Sequence, residues 1–317
     1  MLYPFWGKNP EDPADPNSGR FDHYAELGST LFELAPLELA DLAVFPCEWS
    51  RSLASAAERF VATARAAGRP TAVFVGGDDH EVISHDGAIV FQTSLYRSQR
   101  GPNEFAQPAW SEDFVKAHLG DRLPIRSKRR RPVVGFCGLA PQRRGVIDRF
   151  RTHPAHTLIR ARALRLLLEH PGVDTNFVQR ERFLGGAISR GRLDLATMRR
   201  VRSEYVQNMV DSDYMVCSRG AGNFSYRLYE TLSCGRIPVF IDTDNVLPYD
   251  FVADWREHCV WVDEGELESI GDRVAAFHES LGERDFVELQ GACRSLWEKY
   301  VAPQGFFAHF HEHLVRA

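Results

Sequence analysis

The chain has 317 residues, 44% of them hydrophobic, with 38 Lys and Arg against 43 Asp and Glu and a net charge of −5. That length fits two domains of ordinary size, and the acidic balance argues against broad nucleic-acid binding, which calls for a strongly basic surface. Every apolar run stops short of the roughly 18 to 20 residues of a membrane-spanning helix.

The first twenty residues are rich in Pro and Asp and lack the charged-then-apolar order of a secretory signal. The pattern assigns residues 1–125 to an N-terminal domain. It predicts a strand over 40–46, then a helix over 52–67 with Leu53, Ala56, Phe60 and Ala64 on its apolar face and Gly68 at its end. Strands follow at 71–75 and 87–91, with the loop Gly76-Gly77-Asp78-Asp79-His80 between them. The β-α-β rhythm predicts a parallel sheet with helices on its faces.

Residues 126–132, RSKRRRP, form a charge-rich break, read as a solvated linker. Its second reading is a contact with an anionic membrane or acidic acceptor. A second domain spans 133–302. It opens with a strand at 133–138, followed by a helix at 158–169, a strand at 175–178 and a helix at 198–210. A strand at 259–262 and helices at 268–281 and 285–300 close it. Residues 303–317 carry a last helix over 306–315.

Six cysteines, Cys47, Cys137, Cys217, Cys234, Cys259 and Cys293, show no CxxC or other metal-ligand spacing. Buried free thiols in a reducing cytosol are expected.

Residues 213–254 are the most informative stretch. A strand at 214–217 leads into a loop, 218–223, where Gly220 and Gly222 permit a tight turn and close approach to a ligand. A helix over 224–234 places Phe224, Leu228, Tyr229 and Leu232 on one face, with Asn223 or Ser225 to cap it and Gly235 to stop it. A strand at 236–241 follows; Pro238 is tolerable there only near the strand's start or on an edge. A helix beginning just past the carboxyl end of a parallel strand is where open α/β sheets bind anions. Arg219 and Arg227 can offset a diphosphate's charge without a metal. Glu230 shares a helix face with Arg227; it accepts from ribose hydroxyls, or forms a plain surface ion pair with Arg227. The layout suits a nucleotide-sugar.

The segment resembles the core motif of the exostosin-type glycosyltransferases, family 47. The resemblance is carried by Cys217-Ser218-Arg219-Gly220, Ser225, Arg227, Glu230, Gly235, Ile237-Pro238-Val239, Leu247-Pro248 and Asp254-Trp255, and upstream by Tyr205, Met209 and Ser212-Asp213-Tyr214. Ser218 stands where the family usually has proline. The match is good over 200–280 and thin elsewhere. It implies a GT-B enzyme, α/β with two Rossmann-like domains facing a cleft, whose last helix crosses back to the first domain. It also implies a metal-independent, inverting transfer from a UDP-sugar, with no cofactor, to a glycan or small-molecule acceptor.

Such a transfer needs a base that takes the acceptor's proton. Asp79 and His80 resemble a glycine-aspartate-histidine element in the first domain of plant relatives, and either one would be the base. Glu104, in a loop at 100–104, is the next candidate, and Asp22 and His23 are weaker ones. Among Arg143, Arg144 and Arg160, one would add a diphosphate contact; Arg160 resembles an arginine of the family. Asp242-Thr243-Asp244 is read as turn chemistry rather than a metal site. Two alternatives stay open. One is a GDP-fucose-type transferase, against which Thr231 stands where that group has a lysine. The other is a catalytically silent partner of another transferase. The relatives' usual membrane anchor has no counterpart in the sequence, so a cytoplasmic protein is expected, with a possible contact at the inner face of a membrane.

Overall fold

The structure, a computed structural model, describes residues 27–28, 30–78, 87–140, 155–189 and 192–317. A first sheet holds β1 (Ala43–Val44), β2 (Thr71–Val75), β3 (Ala88–Gln92) and β4 (Glu104–Ala106), in that spatial order and all parallel. β2 and β3 are buried along their whole length, which is why they read as unbroken apolar runs. On one face lies α1 (Ala54–Ala66). Its buried stripe is Ala57, Val61 and Ala64: Ala64 is buried as expected, but Ala57 and Val61 take the places expected of Ala56 and Phe60, which are only partly covered. Small residues at the contact let the helix sit close to Val73 and Ala88. β4 escapes a reading by pattern, because three residues give no alternation to count.

After the short α2 (Phe114–His118) the second sheet begins. It is built from β5 (Val133–Leu139), α3 (Ala155–Glu169), β6 (Asp174–Arg180), a small antiparallel hairpin β7 (Ile188–Ser189) and β8 (Arg192–Leu193), and α4 (Leu195–Val210). It continues through β9 (Tyr214–Cys217), α5 (Tyr226–Ser233), β10 (Ile237–Asp242) and β11 (Val260–Asp263), and is closed by α6 (Ile270–Ser280) and α7 (Glu283–Leu296). The order is β11-β10-β9-β5-β6, again all parallel. Pro238 sits inside this sheet without penalty: β10 pairs with β9 from Ile237, but β11 joins only at Val239. The missing N–H therefore falls before the second neighbour arrives.

α5 stops at Gly235, which adopts φ 60°. Its start differs from expectation. Ser225 holds the extended cap position, yet its side chain caps nothing, and the Asn223 side chain is spent on other backbone groups. The charge-rich linker is also less solvated than its sequence suggests. Arg126 donates from Nε to the buried Asp213 carboxylate at 2.6 Å, and its backbone pairs with the Gln290 amide. His278 Nε2 meets the Arg129 carbonyl at 2.7 Å.

The last helix is broken into α8 (Pro303–Ala308) and α9 (His311–Arg316). Both return to the first sheet. Phe306, Phe307 and Phe310 pack on Phe74, Phe91 and Trp110, with Phe91 and Phe310 stacked at 4.8 Å. One apolar core therefore runs from the first sheet through these helices into the second. Polar ties add to it: Arg294 on α7 grips Asp113, the cap of α2, through both nitrogens at 2.7 and 2.8 Å. Among the described residues no helix is long and apolar enough to cross a membrane.

His313 on α9 is fully buried among Phe91, Phe105, Tyr249, Phe251 and Phe306. Burial pushes its imidazole down to about 3. Between that value and the ordinary His range the unfolded chain binds a proton that the folded chain refuses, so stability falls as pH drops through this window. The His313 contribution should lower unfolding free energy by about 2 kcal/mol between pH 7 and pH 5. Urea midpoints of wild type and His313→Phe at the two pH values check this; equal pH dependence in both would contradict it.

Candidate functional site

β5 and β9 are neighbours, and their carboxyl ends open onto one edge where three arginines meet. Arg160 comes from α3. Its Nε donates to Ser218 Oγ at 3.0 Å, Nη1 to the Leu139 carbonyl at 2.8 Å and Nη2 to the Arg219 carbonyl at 2.8 Å. It thus ties the end of β5 to the loop after β9. Arg227, in the first turn of α5, donates from Nη2 to the Cys137 carbonyl at 2.9 Å. Its guanidinium lies 4.3 Å from the Phe136 ring centroid, and that of Arg160 lies 5.9 Å from the same ring. The ring's negative face serves both cations. Burial, and then the charge of Arg227, pushes Arg160 down to about 10, so it still carries its charge at neutral pH. Arg219 lies 5.4 Å from the Tyr96 ring and donates to the Ala221 carbonyl at 3.0 Å. Among the described residues, the Nε atoms of Arg219 and Arg227 are both buried with no hydrogen-bond partner.

Gly138 makes room for this arrangement. Its φ is 153°, and a Cβ there would lie 2.8 Å from Arg227 Nη2. The two loop glycines play other parts than expected. A Cβ at Gly222 would lie 2.9 Å from the Asp78 Cα, and the Gly222 N–H donates to Asp78 Oδ1 at 2.9 Å. The close approach there is to a loop of the first domain. Gly220 has an ordinary φ and open space where a Cβ would go, so sterics do not demand a glycine. Asn223 ties this loop to the stretch after β3: its N–H donates to Ser94 Oγ at 2.8 Å and its amide reaches the carbonyls of Leu95 and Asp244. Asp242-Thr243-Asp244 is a turn. Asp242 accepts from the Asn245 N–H and pairs with Arg97, and Asp244, at φ 67°, accepts from the Ser98 N–H. Among the described residues no cluster of three or more His, Cys, Asp or Glu is arranged to hold a metal ion.

Glu230 is buried. One carboxylate oxygen accepts from the Tyr205 hydroxyl at 2.5 Å, the other from Arg202 Nη1 at 3.3 Å. It is therefore turned toward α4, neither a surface ion pair nor a group open to solvent. Glu104 is not in a loop: it opens β4, and its carboxylate accepts from the Gly101 N–H at 2.7 Å, closing a local turn. Ser225 is buried beside a shallow recess lined by Arg219, Phe224, Leu228, Tyr229 and Phe240. Asp22, His23, Asp79, His80, Arg143 and Arg144 lie outside the described residues.

The sequence reading missed three contributors. Gly138 had no signal beyond being a glycine in an apolar run. Tyr205 was noted only as part of the resemblance. His156 precedes Arg160 by one helical turn, a spacing that was there to be read. Burial, Arg160 and Arg219 hold its imidazole low while Asp78 draws it up, so it is neutral at pH 7.

Two all-parallel sheets joined by helices make this an α/β protein, with the arginines gathered at the carboxyl ends of β5 and β9 in the second sheet. The Exostosin GT47 domain model matches residues 85–277, more than half of the chain, and the chain belongs to this glycosyltransferase family. Exostosin-1 of Drosophila melanogaster is 32% identical over 99 residues, covering 31% of this chain and 12% of that protein. The Exostosin-1 homolog of Caenorhabditis elegans is 29% identical over 100 residues, 32% of this chain and 25% of its own. The matched segment thus spans a quarter or less of these relatives. Solved structures of similar shape include TarM, at TM-score 0.39 and 13% identity over 77% of this chain and 50% of its own. A glycosyltransferase from Rickettsia africae aligns at TM-score 0.38 and 12% identity over 87% of this chain and 70% of its own. Likenesses this loose bear on neither ligand nor mechanism.

Gly138→Ala should displace the Arg227 guanidinium and weaken binding of a nucleoside diphosphate about tenfold, the worth of one charge-assisted hydrogen bond. Calorimetric titration, with circular dichroism to confirm folding, checks this. Unchanged affinity in a folded variant would show that the gap at Gly138 does not place Arg227.

Proposed function

We propose that the chain transfers a sugar from a UDP-sugar to a hydroxyl of a glycan or small-molecule acceptor, with inversion and without a metal. The supporting observation is the pair of guanidiniums, Arg219 and Arg227, each with a buried Nε that has no acceptor among the described residues. Buried donors cost free energy unless they are satisfied. A planar guanidinium can donate two parallel hydrogen bonds to a pair of anionic phosphate oxygens, which is what these donors require. As the bond from the anomeric carbon to the diphosphate breaks, negative charge builds on the leaving oxygen. Fixed cations at that point stabilise the transition state more than the ground state. Arg160 builds the loop that carries Arg219, with three of its N–H groups already used by the protein.

In an inverting transfer the acceptor oxygen attacks the anomeric carbon from the face opposite the diphosphate, and a base takes its proton. Asp79 or His80 is proposed for that base. They follow Asp78, whose carboxylate already reaches the Gly222 N–H of the arginine loop. The cytoplasmic reading is retained as a proposal; all six cysteines are free thiols, which suits a reducing compartment.

Titration with UDP and GDP, with and without EDTA, tests the donor. UDP is expected to bind, indifferent to chelator, and preference for GDP would favour a fucosyltransferase-like donor instead. Arg227→Ala should weaken UDP binding about tenfold to a hundredfold; retained affinity would count against the diphosphate assignment. For the base, Asp79→Asn and His80→Ala should retain UDP affinity. At least one should lose kcat by about a hundredfold or more, and full activity in both would place the base elsewhere.

A further inference from the structure

Arg227 and Glu230 stand three positions apart on α5, a spacing at which opposite charges ordinarily attract one another. In a buried setting such a pair would neutralise the guanidinium, and a diphosphate would have to compete for it. The structure turns Glu230 the other way. The Tyr205 hydroxyl, 2.5 Å from one carboxylate oxygen, and Arg202, 3.3 Å from the other, both come from α4. The Tyr205 ring also lies beneath Arg227, 5.7 Å from its guanidinium carbon. One side chain therefore binds the carboxylate with its hydroxyl and the cation with its face.

Resting on the donor-site reading above, we propose that Tyr205 is a positioning residue that, with Arg202, holds the Glu230 carboxylate off Arg227 and so keeps the guanidinium available to the donor diphosphate. A buried carboxylate must have donors. Tyr205 and Arg202 supply them from α4, so Arg227 is not needed for the purpose. Arg202 is itself fixed: it stacks on Phe114 at 4.4 Å and pairs with Glu112. Glu112 and Phe114 belong to the stretch around α2, between the two sheets. The setting of the donor arginine thus depends on contacts that reach toward the first domain.

The test is a double-variant cycle read by UDP titration on the full chain. Tyr205→Phe keeps the ring and removes the hydroxyl. Glu230 then loses a donor and turns to Arg227, and UDP affinity should fall about tenfold, the worth of a charged hydrogen bond. Adding Glu230→Gln to that variant removes the competing charge, and affinity should return to within about twofold of Glu230→Gln alone, the coupling expected of residues in one network. Wild-type affinity in Tyr205→Phe would overturn the proposal. So would a tenfold loss that Glu230→Gln fails to relieve, since that is the mark of a purely structural tyrosine. Absence of UDP binding by the wild type would overturn the donor reading, and this proposal with it.

Discussion

Like charges gathered at one sheet edge set the problem that the rest of the structure solves. Arg160 and Arg227 approach the same Phe136 ring, and each is partly withdrawn from water. Their repulsion is offset by backbone carbonyls at the ends of β5 and β9 and by the electron-rich face of the ring. Carbonyls are neutral acceptors. They hold a guanidinium in place without cancelling its charge, as a carboxylate would. The one carboxylate close in sequence, Glu230, is drawn off by Tyr205 and Arg202. Gly138 leaves the volume that Arg227 occupies. The result is positive charge held by neutral acceptors at the carboxyl ends of β5 and β9.

That edge is not the property of the second sheet alone. Asp78 reaches Gly222, Ser94 and Leu95 hold Asn223, and Arg97 and Ser98 meet the turn at Asp242–Asp244. The C-terminal helices carry the core across to the first sheet. Because the loop that bears Arg219 is shaped by groups from both halves, movement between the halves would also change the arginines' setting.

Much of the fold was legible because periodicity and turn chemistry act locally. β2 and β9 were read to the residue, and Gly235 as a helix stop, since a run of buried residues and a positive φ both leave marks in a few positions. The α/β class followed from the alternation. The arginine loop, too, stands out in the sequence by its charges and its glycines. What stayed hidden was tertiary. Nothing in the letters around Gly222 tells a ligand from the Asp78 backbone as the thing that comes close. Glu104 looked like a loop carboxylate because β4 is too short to announce itself. Glu230 reads as a ribose acceptor or a surface partner of Arg227, and only the fold places Tyr205 and Arg202, a helix away, against it. The break of the last helix at His309 and Phe310 likewise reflects packing on Phe74 and Phe91 rather than a breaker in the sequence.

A crystal structure of the chain with UDP tests the central claim most directly. The account predicts the diphosphate against the Arg219 and Arg227 guanidiniums at the carboxyl ends of β5 and β9, with Glu230 still held by Tyr205. A diphosphate bound at another edge, or an Arg227 paired to Glu230 beside it, would contradict the account.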